Sequence, residues 1–295
     1  MLLALPYPTM NFLPFYAAED LGYFAQAGVN LHCLHVRETK QRKVQLCIEG
    51  DLHFYTSVST TTEARLRGWG DVKALCSNQT THHFCSARPE INSLQDLKGK
   101  RVMVGGGASN NQITYLAKKL GWEIGKEVTI VHGDEHDRIR AFNDPTIAAV
   151  IAREEYAFWA LQAGWHLIPY PQAYMRWHGG GLATSARLIR EQPEAVDGAV
   201  KAVVQATDFL NHHRQEAIAL ACKRISHLSR ADAEGNYEIH TRDGGYTCGI
   251  SEAGIRYQSE VLALAKGVSQ QVTLDEVADL SFLEKAKAAC GIVVN

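Results

Sequence analysis

Short apolar runs alternate with polar loops and helix-spaced segments through the first two thirds of the chain. Leu2–Pro6 reads as a strand, Phe12–Leu21 as a helix and Val29–Val36 as a strand with period-two alternation. A helix at Lys40–Glu49, a strand at Leu52–Tyr55, a helix at Thr61–Arg67 and a strand at Val72–Ser77 follow. A second array repeats the pattern. It begins after residue 100, beyond an extended stretch at Phe84–Ala87, with strands expected at Val102–Val104, Val128–Val131, Ala148–Ala152 and Leu167–Pro169, and helices at Asn110–Leu120, Glu135–Asn143 and Tyr156–Ala163. Beyond Pro193 the alternation stops. Glu194–His213, Glu216–Cys222, Ala253–Lys266, Leu274–Val277 and Phe282–Cys290 all read as helix. Strands and helices alternating at this spacing predict an α/β fold with mostly parallel sheets flanked by helices, and polar strand-to-helix loops on the carboxyl edges. Two arrays joined by extended segments near residues 82–88 and 180–185 predict two lobes with a ligand cleft between them. The C-terminal helices are expected to cap lobe one.

The stretch Arg101-Val-Met-Val-Gly-Gly-Gly-Ala-Ser-Asn-Asn-Gln-Ile-Thr-Tyr-Leu116 is the most specific local signal. An apolar strand runs into three glycines, which permit a tight turn. Ser109, Asn110 or Asn111 is expected to cap the helix that follows. The free N–H groups of a helix N-terminus suit an anionic or polar ligand group, and no phosphate-loop lysine follows.

Composition narrows the function classes. Net charge is −2, which removes the electrostatic footprint expected of a nucleic-acid binder. No apolar run is long enough to span a bilayer, so direct membrane insertion is not expected. Seven cysteines are dispersed without a CxxC pair, which argues against a disulfide framework. Met1–Pro6 is too short and uncharged for a secretory signal. A periplasmic or cell-surface address therefore requires that an export signal was removed; a cytoplasmic address is the alternative. The protein is expected to be a monomer.

Several polar constellations carry residue types suited to chemistry. Cys76, His82, His83 and Cys85 have metal-type residues, but neighbours on a strand point to opposite faces. His132–Asp137 reads as a cap and solvated turn. No metal and no cofactor is expected, and no Ser-His-Asp arrangement is visible. Glu154 and Glu155 sit at a strand end, where alternation lets one of them, Glu154, reach a ligand amine. His53 with Arg65 or Arg67 offers a way to polarise a carboxylate or sulfinate. As a set near loop tips, Tyr7, Phe12, Tyr16, Tyr55 and Trp177 offer ring surfaces for a planar ligand, with ordinary core packing the other role open to each.

Two further stretches carry a resemblance. Leu5-Pro-Tyr-Pro-Thr-Met-Asn-Phe12 with Tyr16-Ala-Ala-Glu-Asp-Leu-Gly-Tyr-Phe-Ala-Gln-Ala-Gly-Val-Asn-Leu31, and Ile91-Asn-Ser-Leu-Gln-Asp-Leu-Lys-Gly-Lys-Arg-Val102, resemble solute-binding proteins of ABC importers. The group is the one for sulfonates, nitrate and thiamine-pyrimidine precursors, similar to thiamine-pyrimidine synthases. The resemblance implies a type II periplasmic-binding-protein fold, with lobe one at residues 1–85 and 182–295 and lobe two at 86–181. It implies binding loops at Thr9–Phe12 (with Asn11), Thr56–Ser59 (with Ser57) and Gly106-Gly107-Ala108-Ser109-Asn110, and contacts from His82, Glu154, Trp177 and His178. It implies reversible binding of a small heterocycle or organic anion, and a membrane permease as partner. The synthase branch's cysteine-rich iron motif has no counterpart here, so pyrimidine synthesis is not expected. A cytosolic lyase of decarboxylase or desulfinase type, or a ligand sensor, is the alternative use of the fold. The first loop, Tyr7–Asn11, has no cysteine, which excludes a thiolate nucleophile there.

Overall fold

The computed structural model describes residues 1–78, 83–105, 107–169, 178–242, 245–267 and 271–292. The chain divides into two compact units, one of residues 1–80, 177–259 and 270–295, the other of 81–176 and 260–269.

The first unit opens with β1 (Leu2–Leu5), α1 (Leu13–Asp20), α2 (Tyr23–Gln26), β2 (His32–His35), α3 (Lys40–Glu49), β3 (Phe54–Thr56), α4 (Val58–Arg67) and β4 (Val72–Cys76). The second unit follows with β5 (Phe84–Ala87), β6 (Lys100–Val104), α5 (Ala108–Lys119), β7 (Val128–His132), α6 (Glu135–Arg140), β8 (Ala149–Ala152), α7 (Glu154–Gln162) and β9 (His166–Ile168). The chain then returns through β10 (Leu182–Ser185), α8 (Ala186–Glu191), α9 (Pro193–His212), α10 (Arg214–Arg224), α11 (Arg230–Arg242), α12 (Glu252–Lys266), α13 (Leu274–Val277) and α14 (Ser281–Cys290).

Each unit holds one five-stranded sheet, and the two sheets share one plan. The orders are β2-β1-β3-β10-β4 and β7-β6-β8-β5-β9. In the first, β1 pairs parallel with β2 and β3, and β10 runs antiparallel between β3 and β4. In the second, β6 pairs parallel with β7 and β8, and β5 runs antiparallel between β8 and β9. The mostly parallel α/β architecture expected from the alternation is therefore what forms.

The central strands β1, β3, β10 and β8 are buried on both faces, whereas the edge strand β2 is largely exposed. In the second unit Val102 and Val104 face one core cluster with Ala149 and Ile151. Met103, Val150 and Ala152 face the other, with Phe142, Tyr156 and Trp165. Period-two alternation thus feeds two apolar layers. In the first unit, α9 packs on α1, α2 and α14, while α13 packs on α4 and β4. The sequence assigned all of 182–295 to lobe one. Residues 260–269 instead group with the second unit. There Lys119 bonds Glu260 (Nζ to Oε1 2.5 Å) and Lys118 Nζ donates to the Leu264 carbonyl.

Among the described residues no helix is long and apolar enough to cross a membrane. None of the seven cysteines forms a disulfide, and four of them are buried.

Candidate functional site

At the carboxyl edge of the first sheet, polar residues cluster where the strands end. Thr9 lies in the loop after β1 and is almost fully buried. It occupies the N-cap position of a short helical turn at Met10–Phe12, but its hydroxyl caps nothing and has no partner among the described residues. Asn11 is buried, and its carbonyl accepts from Asn78 Nδ2. Phe12 is buried and meets Tyr7 edge-on, with ring centroids 6.1 Å apart. Tyr7 is exposed.

Ser57 is the N-cap of α4. Its Oγ accepts from the Thr60 N–H at 3.0 Å and lies 3.0 Å from Ser59 Oγ, so both expected serines form one hydroxyl pair in the first turn. The helix begins at Val58, three residues before the expected start, because Ser57 caps it. The Ser57 N–H donates to the Gly181 carbonyl at 3.0 Å, tying this loop to the entry of β10.

His178 is buried beside that entry. Its Nε2 accepts from the Ser251 N–H at 3.1 Å and lies 3.2 Å from Ser251 Oγ, whose own oxygen accepts from the Gly254 N–H. Burial pushes the imidazole down to about 4, so the ring is neutral at physiological pH. With Nε2 occupied as an acceptor, the ring proton sits on Nδ1, which has no partner among the described residues. Two residues on, Gly180 lies against the Asn78 carboxamide, where a Cβ would overlap Asn78 Oδ1. That oxygen is also buried and unpartnered among the described residues. Each such orphaned group costs roughly 1–3 kcal/mol.

Two aromatic expectations are corrected. Tyr16 is buried in α1, its hydroxyl 2.8 Å from His35 Nε2 and its ring 5.3 Å from the Arg224 guanidinium. Burial holds its phenol well above the ordinary range. Arg224 is itself held by Glu19 and Asp20. Tyr55 is buried with its hydroxyl 2.8 Å from Thr61 Oγ1. Both rings are spent on packing within their unit rather than offered to a ligand. The His53 pairing also dissolves: His53 Nδ1 accepts from the Leu2 N–H, Arg65 pairs with Glu276, and Arg67 with Glu63.

The second unit has its own cluster at the equivalent edge. Gly107 is the N-cap of α5, with φ 68°, and no side chain caps the helix. Ser109, Asn110 and Asn111, expected as caps, fall instead inside the first turn, because the glycine turn lets the helix begin at Ala108. Gly107 is exposed, Ala108 and Asn110 are half-buried, and Ser109 and Asn111 are buried. Both carboxamide atoms of Asn111 lack partners among the described residues.

Arg138, on α6, reaches this edge. Its guanidinium lies against Gly105, in the space a side chain there would fill. Nη2 donates to the Tyr156 hydroxyl at 2.9 Å, and the guanidinium carbon is 4.5 Å from that ring's centroid. Among the described residues no carboxylate pairs with Arg138, and its Nε is buried without a partner. A half-buried cation without a counter-charge, beside a helix N-terminus, favours an anion.

Glu154 and Glu155, expected on an extended segment facing opposite ways, instead open α7, and both are buried. Glu155 pairs with Arg153 at 3.2 Å. Burial first, and the Glu155 charge second, push the Glu154 carboxyl up to about 8.

His82, Gly106 and Trp177, also expected at the site, lie outside the described residues. Asn78 and Arg138 went unnoticed in the sequence. Asn78 stands two residues past the strand β4, as Ser57 stands one past β3, and polar residues so close to a strand end are a readable signal. Arg138 sits in a charged run, and nothing in that run sets it apart.

A model of the family described as NMT1/THI5-like matches residues 9–217, more than half of the chain. The chain belongs to the NMT1/THI5-like family. This member of the family is also similar to solved structures. One is the periplasmic aliphatic sulphonate-binding protein SsuA of Escherichia coli, at TM-score 0.76 and 14% identity over 95% of this chain and 91% of that one. A second is the alkanesulfonate-binding protein SsuA of Xanthomonas axonopodis pv. citri bound to MOPS, at 0.73 and 15%, over 95% and 98%. A third is the periplasmic nitrate-binding protein NrtA of Synechocystis PCC 6803, at 0.72 and 13%, over 98% and 88%. At these identities the likeness establishes the periplasmic-binding-protein fold. No curated protein sequence matches the chain.

Proposed function

We propose that this NMT1/THI5-like protein reversibly binds a small organic molecule, a heterocycle or an organic anion, as the solute-binding component of an ABC importer. The observation that carries the reading is Arg138: a guanidinium without a carboxylate partner among the described residues, set against Gly105 at the mouth of the glycine turn. Its proposed role is to take the negative or carbonyl end of the ligand, assisted by the N–H groups of Gly107–Ser109. Thr9, Asn11, Ser57 and Ser59 form a second polar cluster, in the first unit, proposed to hydrogen-bond ligand groups there. Sulfonate and nitrate binding by the structural relatives supports an anionic ligand group. A membrane permease as partner, a monomeric state and a periplasmic address belong to the same proposal.

The test is a thermal-shift screen of the purified chain against sulfonates, nitrate, pyrimidines, flavins and aromatic acids. A ligand that binds only the folded chain raises the melting temperature with concentration. A reproducible, saturable rise for one class is expected. Absence of any shift across these classes, at concentrations up to millimolar, contradicts the reading.

A further inference from the structure

Three segments of the first unit meet at one edge of its sheet, and each leaves one buried polar atom without a partner among the described residues. The loop after β1 leaves Thr9 Oγ1, the end of β4 leaves Asn78 Oδ1, and the segment before β10 leaves His178 Nδ1. The segments are tied together. Asn78 Nδ2 donates to the Asn11 carbonyl, and Gly180 packs on the Asn78 carboxamide. The Gly181 carbonyl accepts from the Ser57 N–H.

The hydrogen-bonding sense of each atom follows from its other contacts. Asn78 has its amide nitrogen committed to a carbonyl, so the atom left over is an acceptor. His178 has Nε2 committed to the Ser251 N–H, so the atom left over carries the proton and donates. The Thr9 hydroxyl can do either. None of the three carries a formal charge when the imidazole is neutral. A sulfonate or carboxylate presents acceptors alone and would leave Asn78 Oδ1 facing another oxygen. A purely apolar group would leave all three unpaired.

We propose that this edge of the first unit reads a neutral donor–acceptor edge of the ligand, an N–H beside a carbonyl, as in a cyclic amide or a ureide. The Asn78 oxygen takes the ligand N–H, the His178 Nδ1 proton goes to the adjacent acceptor, and Thr9 serves either. Gly180 is required in this arrangement because a side chain would displace the carboxamide. The inference rests on the reading of the chain as a small-ligand binder, and it adds a polarity pattern that an anion site alone does not predict.

The test uses the full chain and a panel of six-membered-ring carboxylates in calorimetric titrations. Half carry a ring N–H beside a carbonyl (orotate and pyridone carboxylates); half lack it (benzoate and its methyl derivatives). Acids with the edge are expected to bind about tenfold or more tighter than those without, because a site built to hydrogen-bond rejects analogues that leave its groups unpaired. Asn78→Leu is expected to bring the affinities of the two halves to within about twofold of each other. Thr9→Val, which keeps shape and removes one hydroxyl, tests the same point should Asn78→Leu fail to fold by circular dichroism, and is expected to reduce the discrimination. Equal binding of both halves by the unmodified chain overturns the inference and leaves the binding function standing. So does discrimination that persists undiminished in the folded variants. No binding by any panel member or by the sulfonates of the thermal screen overturns the functional reading, and this inference with it.

Discussion

Arg138 donates to the hydroxyl of Tyr156 while its guanidinium carbon sits 4.5 Å from the centre of the same ring. Tyr156 is buried, so its ring is a fixed support. The charge is therefore held in place by an aromatic side chain, and among the described residues no acid pairs with it. That arrangement preorganises a cation for a ligand and leaves its charge available.

Replacing Arg138 by Gln is expected to weaken an anionic ligand by about 10- to 100-fold, the usual worth of a charged hydrogen bond. Lys at this position is expected to restore part of the loss, since it supplies charge without the planar fork. Calorimetric titration of both variants checks this, with melting temperatures confirming that the fold is retained. Equal affinity in all three proteins would place the anion elsewhere.

Gly181 enters β10 with φ 139°, and a Cβ there would run into the Cys76 carbonyl and the Val58 side chain. A backbone oxygen within a sheet cannot step aside as a long side chain can. Gly181→Ala is therefore expected to destabilise the chain by about 1–3 kcal/mol or more. A lowered midpoint in urea denaturation, with an unchanged slope, is the expected reading.

His178 links pH to stability. Its folded value, about 4, lies below the ordinary imidazole value of 6.5, because burial disfavours the charged ring. Between those two values the unfolded chain binds more protons. Stability is then full above about pH 6.5 and declines as the pH falls toward 4, by about 3 kcal/mol at most. His178→Gln, which cannot ionise, is expected to flatten that acid limb. Melting temperatures from pH 4 to 8 distinguish the two proteins.

Glu154 has the opposite sign. Its folded value of about 8 lies above the ordinary carboxyl value, so the folded chain holds the proton more tightly. The stabilisation that follows is present at low pH and is lost as the pH rises through about 8. Glu154→Gln keeps the neutral shape and is expected to remain more stable than the unmodified chain at pH 8 to 9, with little difference near pH 5. The same melting series shows the crossover, and parallel curves for both proteins would contradict it.

Much of the fold was legible because most strands are apolar runs that end in a polar loop. Lys40–Glu49 and Leu274–Val277 formed within the expected bounds, the first capped by Thr39 and closed by Gly50. Helix α11 was missed. Its sequence, with Gly235, Asn236, His240 and Thr241, has little intrinsic helix preference. It is started by Ser229 and Asp232, each accepting from the other's backbone N–H, a capping signal that was present in the chain. The strand-end loops of the site were legible for the same reason as the strands. Their chemistry was less so. The loose atoms of Thr9, Asn78 and His178 depend on which partners Asn11, Ser251 and Gly180 provide, and those contacts span distant parts of the sequence.

The most direct test is equilibrium titration of the purified chain with the class that stabilises it most in the thermal screen, followed by recovery and chemical analysis of the compound. Saturable one-to-one binding is predicted, with the compound returned unaltered and affinity lost in Arg138→Gln. Conversion of the compound to a product, or affinity that is indifferent to Arg138, would contradict reversible capture at the strand-end loops.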